Sequence, residues 1–227
     1  MEPLTLVFDL DGTLVDTAPD LSGAMNAVLA AHGRSRVPDS EVRHMVGRGA
    51  RKLLERGFEA TGSAAGAADL DRYFDEFISY YGEHVADHSQ PFPGAMEVVR
   101  RLKSDGHRLG VCTNKPEALS NKLLRALDMA PLFSAVLGAD TLSVRKPVPE
   151  HLLETIRRIG GDPTRAVMIG DSEVDAETAK KAGVKLVIFT FGYTAFDPAT
   201  FGADELLHSF TELPAALERI AATFDQA

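Results

Sequence analysis

A chain of 227 residues, 44% apolar and 25% charged, is long enough for one sizeable core with an inserted lobe, and it contains no run long and apolar enough to cross a bilayer. The formal net charge of −9 argues against general nucleic-acid binding, although a metal ion and one lysine can reverse the sign locally for a small anionic substrate. Cys112 is the single cysteine, which excludes an intrachain disulfide; set between Val111 and Thr113, it reads as a small core residue. Glu2 stands where a signal peptide would be basic and Asp9 breaks the first apolar stretch, so the expected location is the cytoplasm, with neither a membrane nor nucleic acid as partner.

The first predicted strand, Leu4–Phe8, lacks period-two alternation, as expected when both faces of a sheet are covered. It runs into Asp9 and Asp11, and two carboxylates at the end of a buried strand are costly unless they are paired or bound to a metal. From about Asp16 to Gln90 there are helical patterns and no convincing strand; "GFEATGSAAGAADLD" reads as a helix–helix loop and "HSQPFPG" as a linker. Further strands are predicted at Arg108–Cys112, Ala135–Leu137, Ala166–Ile169 and Leu186–Phe189. Helices are predicted at Ala95 to about Ser104, from Pro116 through Leu127, at Pro149–Ile159, at Glu173–Ala182 and from about Thr211 to Phe224. This alternation predicts an α/β, doubly wound, Rossmann-like parallel sheet built from residues 1–15 and 91–227, with a helical cap, residues 16–90, inserted after the first strand.

Four polar clusters follow these strands: Asp9 with Asp11, Thr113–Asn114–Lys115, Lys146–Pro147 after a loop, and Gly170–Asp171–Ser172. Ligands of open α/β sheets bind beyond the carboxyl ends of the strands, so the four clusters are expected to converge there. Asp9, Asp171 and Asp175 can share a divalent cation, and all-oxygen ligands suit magnesium, which also binds substrate phosphate. Asp11 is then free for a separate role if its surroundings keep it protonated part of the time. Gly12 and Thr13 follow in a loop whose backbone N–H groups could cradle an anion.

The segments "DLDGTLVD", "TNK", "RKP" and "GDSEVDAETAKKAG" resemble, in order and across nearly the whole chain, the four motifs of the haloacid dehalogenase superfamily. "DLDGTLVDTAPDL", "MVGRGARKLLERGF", "PFPGAMEVVRRLKSDGHRLGVCTNKP" and "MIGDSEVDAETAKKAGV" are similar to the bacterial phosphoglycolate phosphatases within it. The resemblance implies a magnesium-dependent phosphomonoester hydrolase acting on a small phosphorylated metabolite. Asp9 would be the nucleophile that forms an aspartyl-phosphate. Asp11 would be the acid and base, with its backbone carbonyl a further metal ligand. Thr113, Asn114 and Gly12 would hold the phosphoryl oxygens, and Lys146 would neutralise charge. Asp171 would bind magnesium directly, with Asp175 helping to orient it.

Other features admit two readings each. Ser172 can cap the helix that begins at Glu173 or belong to the site. Asp175 also suits a first helical turn, but its spacing of four from Asp171 favours the site. Lys115 can lie near the phosphate or point to solvent, and stays outside the catalytic set. His84 and His88 have zinc-like spacing without a third ligand and read as a surface or linker pair. "GRGARK" is no dinucleotide fingerprint, because Lys52 takes the third glycine position. In the cap, Arg48 and Arg51, three apart, could share a helix face beside Gly47 and Gly49, and could meet a substrate carboxylate or be solvated charge. Rival functions on the same core are another phosphatase or pyrophosphatase, a β-phosphoglucomutase-like mutase, or a phosphate-sensing scaffold; the intact acidic set argues against the last.

Overall fold

The computed structural model describes residues 2–47 and 49–224. Leu4, Leu6, Val7 and Phe8 are all fully buried. Successive strand residues point to opposite faces, so β1 (Thr5–Phe8) must lie inside a sheet covered on both sides. It pairs in parallel with β4 (Arg108–Cys112) on one flank and β6 (Ala166–Gly170) on the other. With β5 (Ala135–Leu137), β7 (Lys185–Phe189) and β8 (Glu205–Leu207) the order is β5-β4-β1-β6-β7-β8, every pairing parallel. Leu6 and Phe8 join one apolar cluster, which includes α9 (Leu213–Phe224) and α5 (Ala95–Ser104). Val7 joins the other, with Leu152 and Ile156 of α7 (Pro149–Arg158) and Ala179 of α8 (Glu173–Ala182). This is the expected doubly wound α/β sheet.

The helical cap region follows β1. α1 (Ala18–Ala31), the short α2 (Asp39–Val42), α3 (Ala50–Ala60) and α4 (Ala67–Glu83) bury Met25, Leu29, Leu53, Phe58, Phe77 and Tyr81 in one cluster. Its two ends are brought side by side by an antiparallel pair, β2 (Val15–Asp16) with β3 (Gln90–Pro91). Buried Asp20 reinforces this junction by accepting the backbone N–H groups of His88 and Ser89 and the Ser89 hydroxyl. The remaining helix, α6 (Glu117–Ala126), follows β4.

Three local readings change. The loop inside the cap is confined to residues 61–66, because α3 continues through Gly57. A Cβ there would come within 2.6 Å of the Met25 sulfur, so this glycine is a close crossing of α1 and α3 rather than a break. The edge strand β8 went unpredicted because it has three residues and only Leu207 is buried. The last helix starts at Leu213, behind a 3₁₀ turn at Phe210–Glu212.

Candidate active site

The carboxyl ends of β1, β4 and β6 lie next to one another, so their polar clusters meet without long-range coincidence. Asp9 extends β1 and is 9% exposed. Its Oδ1 accepts the Leu10 N–H at 2.7 Å and lies 3.0 Å from Lys146 Nζ. Among the described residues nothing bonds Oδ2, which leaves that oxygen available. Lys146 Nζ also donates to Asp175 Oδ1 at 2.6 Å. Burial alone would depress this lysine, but the Asp175 and Asp9 carboxylates outweigh burial and hold it firmly charged.

Asp171 is equally constrained. Its Oδ1 accepts the Thr13 hydroxyl at 2.7 Å and its Oδ2 the Tyr193 N–H at 2.8 Å. Gly192 and Gly12 make room for it: a Cβ at Gly192 would fall 2.2 Å from the carboxylate, and one at Gly12 would fall 2.7 Å away. Gly12 has φ +86° as well, so glycine is required there twice over. Its N–H is already bonded to the Val15 carbonyl at 3.0 Å. The anion cradle expected at Gly12 thus has that donor committed to the turn. Asp175 is fully buried in the first turn of α8, and its Oδ2 accepts the N–H groups of Asp171 and Ser172 and the Ser172 hydroxyl. Ser172 and Asp175 close the start of the helix as a capping box, and Asp175 also stands in the acidic cluster.

Asp9, Asp171 and Asp175 present carboxylate oxygens that lie within 4.8 Å of one another. Burial pushes Asp9 up to about 6, opposed by Lys146 and assisted by Asp175; burial, with the Asp175 and Asp9 carboxylates, pushes Asp171 far above the usual carboxylate range. A buried cluster of like charges with oxygen donors only fits a hard divalent cation, which would relieve both the burial and the repulsion. The donors of Asp175 are the most committed of the three, so Asp9 and Asp171 are the residues best placed to hold such an ion. Below pH 6 the cation must displace a proton from Asp9; above it the carboxylate is free. The rise in melting temperature on adding magnesium should therefore be small at pH 5 and larger at pH 7.5, since ligand binding to the folded state stabilises it in proportion to ln(1 + [L]/Kd). Calorimetry at the two pH values checks this, and equal shifts would contradict it.

Thr113 and Asn114 extend β4 and line a cleft of about 540 Å³ between the strand ends and the cap. Thr113 is buried; the Asn114 amide donates to the Lys146 carbonyl at 3.1 Å, while its Oδ1 is buried without a partner among the described residues. Asp11 lies in the same cleft and is bonded by Lys115 Nζ at 3.0 and 3.3 Å. Lys115 is 5% exposed and also donates to Tyr81 Oη of α4 at 2.6 Å. Neither residue was placed in the site from sequence; the signal for Lys115 was its position after Thr113–Asn114 at a strand end, and Tyr81 carried none. Tyr193 was also missed. Its hydroxyl accepts the N–H groups of Thr17 and Ala18 and donates to Asp16 at 2.6 Å, tying the junction with the cap to the loop that holds Asp171.

The cap residues divide. Gly49 lines the cleft. Arg51 does not: it is exposed and paired with Asp71 of α4, because Ala50 and Leu53 occupy the face of α3 that turns toward the cleft. Arg48 lies outside the described residues. His84 pairs with Asp87 at 2.7 Å on the surface, apart from the acidic cluster. Cys112 packs beneath the site with its sulfur 3.4 Å from His151 Nδ1, and burial pushes its thiol up to about 12, which suits a core residue rather than a nucleophile.

Residues 4–183 match the haloacid dehalogenase-like hydrolase family. The chain is 50% identical over 212 residues to a phosphoglycolate phosphatase of Caulobacter vibrioides, an alignment covering 93% of this chain and 90% of the relative. It is 42% identical over 212 residues to a phosphoglycolate phosphatase of Mesorhizobium japonicum, covering 93% of both. The crystal structure of a protein from Haemophilus somnus, described as a predicted phosphoglycolate phosphatase, superposes with a TM-score of 0.88 at 29% identity over 95% of this chain and 98% of its own. An α/β core with a helical cap, acidic side chains at the strand ends paired with two buried lysines, and relatives of this closeness place the chain among the phosphatases of the haloacid dehalogenase superfamily.

Proposed function

We propose that the protein is a magnesium-dependent phosphomonoesterase that works through an aspartyl-phosphate and has 2-phosphoglycolate as its substrate. The observation that carries the reading is the setting of Asp9: one oxygen is held by the Leu10 N–H and Lys146, and the other is unengaged beside a cleft that also contains Asp11. Asp9 Oδ2 attacks phosphorus and the ester P–O bond breaks. The leaving oxygen takes its proton from Asp11. Asp11 then removes a proton from water, whose oxygen attacks phosphorus, and the acyl-phosphate bond opens to give inorganic phosphate and free Asp9. Lys146, Thr113 and Asn114 offset the charge on the phosphoryl oxygens, which is most of what phosphoryl transfer requires. Magnesium bound by Asp9 and Asp171, with the Asp11 carbonyl and with Asp175 supporting, would supply further charge neutralisation at the phosphate.

The substrate assignment is supported by the relatives named as phosphoglycolate phosphatases and by a largely apolar cleft beneath the cap. Phosphate release should be measured from 2-phosphoglycolate, ethyl phosphate and a hexose phosphate, before and after chelation and after magnesium is restored. The expected outcome is the highest kcat/KM for 2-phosphoglycolate, lost on chelation and regained with magnesium. Full activity in the chelated enzyme would reject the metal; preference for the hexose phosphate would reject the substrate and leave the phosphatase.

A further inference from the structure

The cleft has an uneven charge pattern. Its cap wall is apolar, formed by Leu21, Val46, Ala50, Leu53, Phe77 and Ile78. Its floor carries the carboxylates of Asp9 and Asp11. Among the described residues that line it, Lys115 is the one cation. A lysine is seldom buried without a demand for its charge, because desolvating an ammonium is expensive. Lys146 meets that cost with two carboxylates; Lys115 has one carboxylate, Asp11, and an uncharged phenol, Tyr81.

We propose that Lys115, steadied by Tyr81 of the cap, receives the carboxylate of the substrate and so sets the preference for phosphomonoesters with an acidic tail. This deepens the 2-phosphoglycolate reading and rests on it. Three features support the assignment. First, Lys115 follows Thr113–Asn114 at the end of β4, so its backbone is fixed beside the residues assigned to the phosphoryl group while its Nζ extends toward the cap. Second, Nζ touches both oxygens of Asp11, the group assigned to the leaving oxygen. In 2-phosphoglycolate the carboxylate is one methylene from that oxygen, so a cation adjacent to Asp11 is adjacent to the carboxylate. Third, Tyr81 Oη accepts the Lys115 bond, its own O–H has no acceptor among the described residues, and it too lines the cleft. An ammonium and a phenol side by side are two donors, which a carboxylate can use together. Among the described residues, the Leu21, Val46, Ala50, Leu53, Phe77 and Ile78 side chains of the cap wall offer no hydrogen bond to the hydroxyls of a sugar phosphate, which would be desolvated against them without partners.

The test separates tail recognition from chemistry by using two unreactive phosphonates in the magnesium-loaded enzyme. One is 3-phosphonopropionate, which carries the carboxylate; the other is propylphosphonate, which does not. Calorimetric Kd values should favour 3-phosphonopropionate at least tenfold in the wild type. Lys115→Met should reduce that ratio by roughly 10- to 100-fold, the loss expected for a charge-assisted hydrogen bond. Tyr81→Phe keeps the ring packing and should reduce the ratio severalfold, so the proposal is checked even if Lys115→Met folds poorly. A wild type that does not distinguish the two phosphonates, or a ratio that survives in the folded variants, overturns the proposal. The parent reading fails differently: an enzyme that releases no phosphate from any monoester is not a phosphatase, whatever its phosphonate preference. Turnover gives a parallel readout, in which Lys115→Met should lower kcat/KM for 2-phosphoglycolate at least tenfold more than for ethyl phosphate. Equal losses on both would leave Lys115 as a partner of Asp11 alone.

Discussion

Asp9→Asn should abolish phosphate release and at the same time raise the melting temperature of the metal-free protein. The first effect follows from the chemistry, because an amide cannot supply the oxygen nucleophile that forms the acyl-phosphate. The second follows from electrostatics. Asp9 is held among Asp171, Asp175 and Lys146 in a buried site, and its pKa is pushed from 3.8 up to about 6, chiefly by burial. A carboxyl group raised in this way binds its proton more tightly folded than unfolded, so ∂ΔG/∂pH is negative between about pH 4 and 6. Above pH 6 the ionised group costs on the order of 3 kcal/mol relative to the unfolded chain, at about 1.4 kcal/mol per pKa unit. Asparagine removes that cost, and Lys146 keeps its shorter contact, the one to Asp175 at 2.6 Å. Calorimetry in chelator at pH 7.5 should show the variant melting above the wild type, whereas at pH 4 the two should converge. Added magnesium should stabilise the variant less than the wild type. A variant that melts lower at pH 7.5, or that retains measurable turnover, would contradict the assignment.

The burial of these charges is what made the candidate cluster legible in the sequence. Charged residues at the ends of strands that are buried on both faces make no sense as packing, and four such clusters after β1, β4, β5 and β6 can only meet at one edge of a parallel sheet. Asp9, Asp171, Asp175 and Lys146 could be brought together on that ground. What the sequence did not reveal depends on side-chain direction across the cleft. Lys115 has the same surroundings in sequence whether it points to solvent or to Asp11, and only the arrival of Tyr81 from α4, thirty-odd residues earlier in the chain, decides it. Arg51 shows the reverse. Its place beside Gly49 suggested substrate, but the rotation of α3 turns Ala50 and Leu53 inward and leaves Arg51 to Asp71. Gly57 looked like a loop residue because conformational freedom and the need for close packing produce the same letter. Tyr193 sits in a loop after β7 with no motif to mark it, yet its backbone and side chain hold Asp171 and the cap junction respectively.

Asp11→Asn should differ from Asp9→Asn in both respects: its effect on turnover should depend on the leaving group, and its effect on stability should be a loss. A general acid and base contributes roughly 10²–10⁴-fold, so the variant should fall by at least that factor with 2-phosphoglycolate or ethyl phosphate, whose alkoxides need a proton as they depart. Nitrophenolate leaves without one, so with nitrophenyl phosphate the first step should be nearly spared. Hydrolysis of the aspartyl-phosphate still needs a base, and the intermediate should therefore accumulate, giving a burst of nitrophenolate followed by slow release of phosphate. The stability change comes from Lys115. Its side chain is 3% exposed and Asp11 is its only carboxylate among the described residues, so the asparagine variant leaves a buried ammonium with an amide and a phenol for partners. Losing a charged hydrogen-bond partner costs about 1.5–3 kcal/mol. The melting temperature should drop accordingly, in the direction opposite to Asp9→Asn under the same conditions. Rapid-mixing kinetics with nitrophenyl phosphate and calorimetry on the two variants measure both effects. Equal losses on alkyl and nitrophenyl esters without a burst would remove Asp11 from the acid role, and an unchanged melting temperature would show that Lys115 does not depend on it.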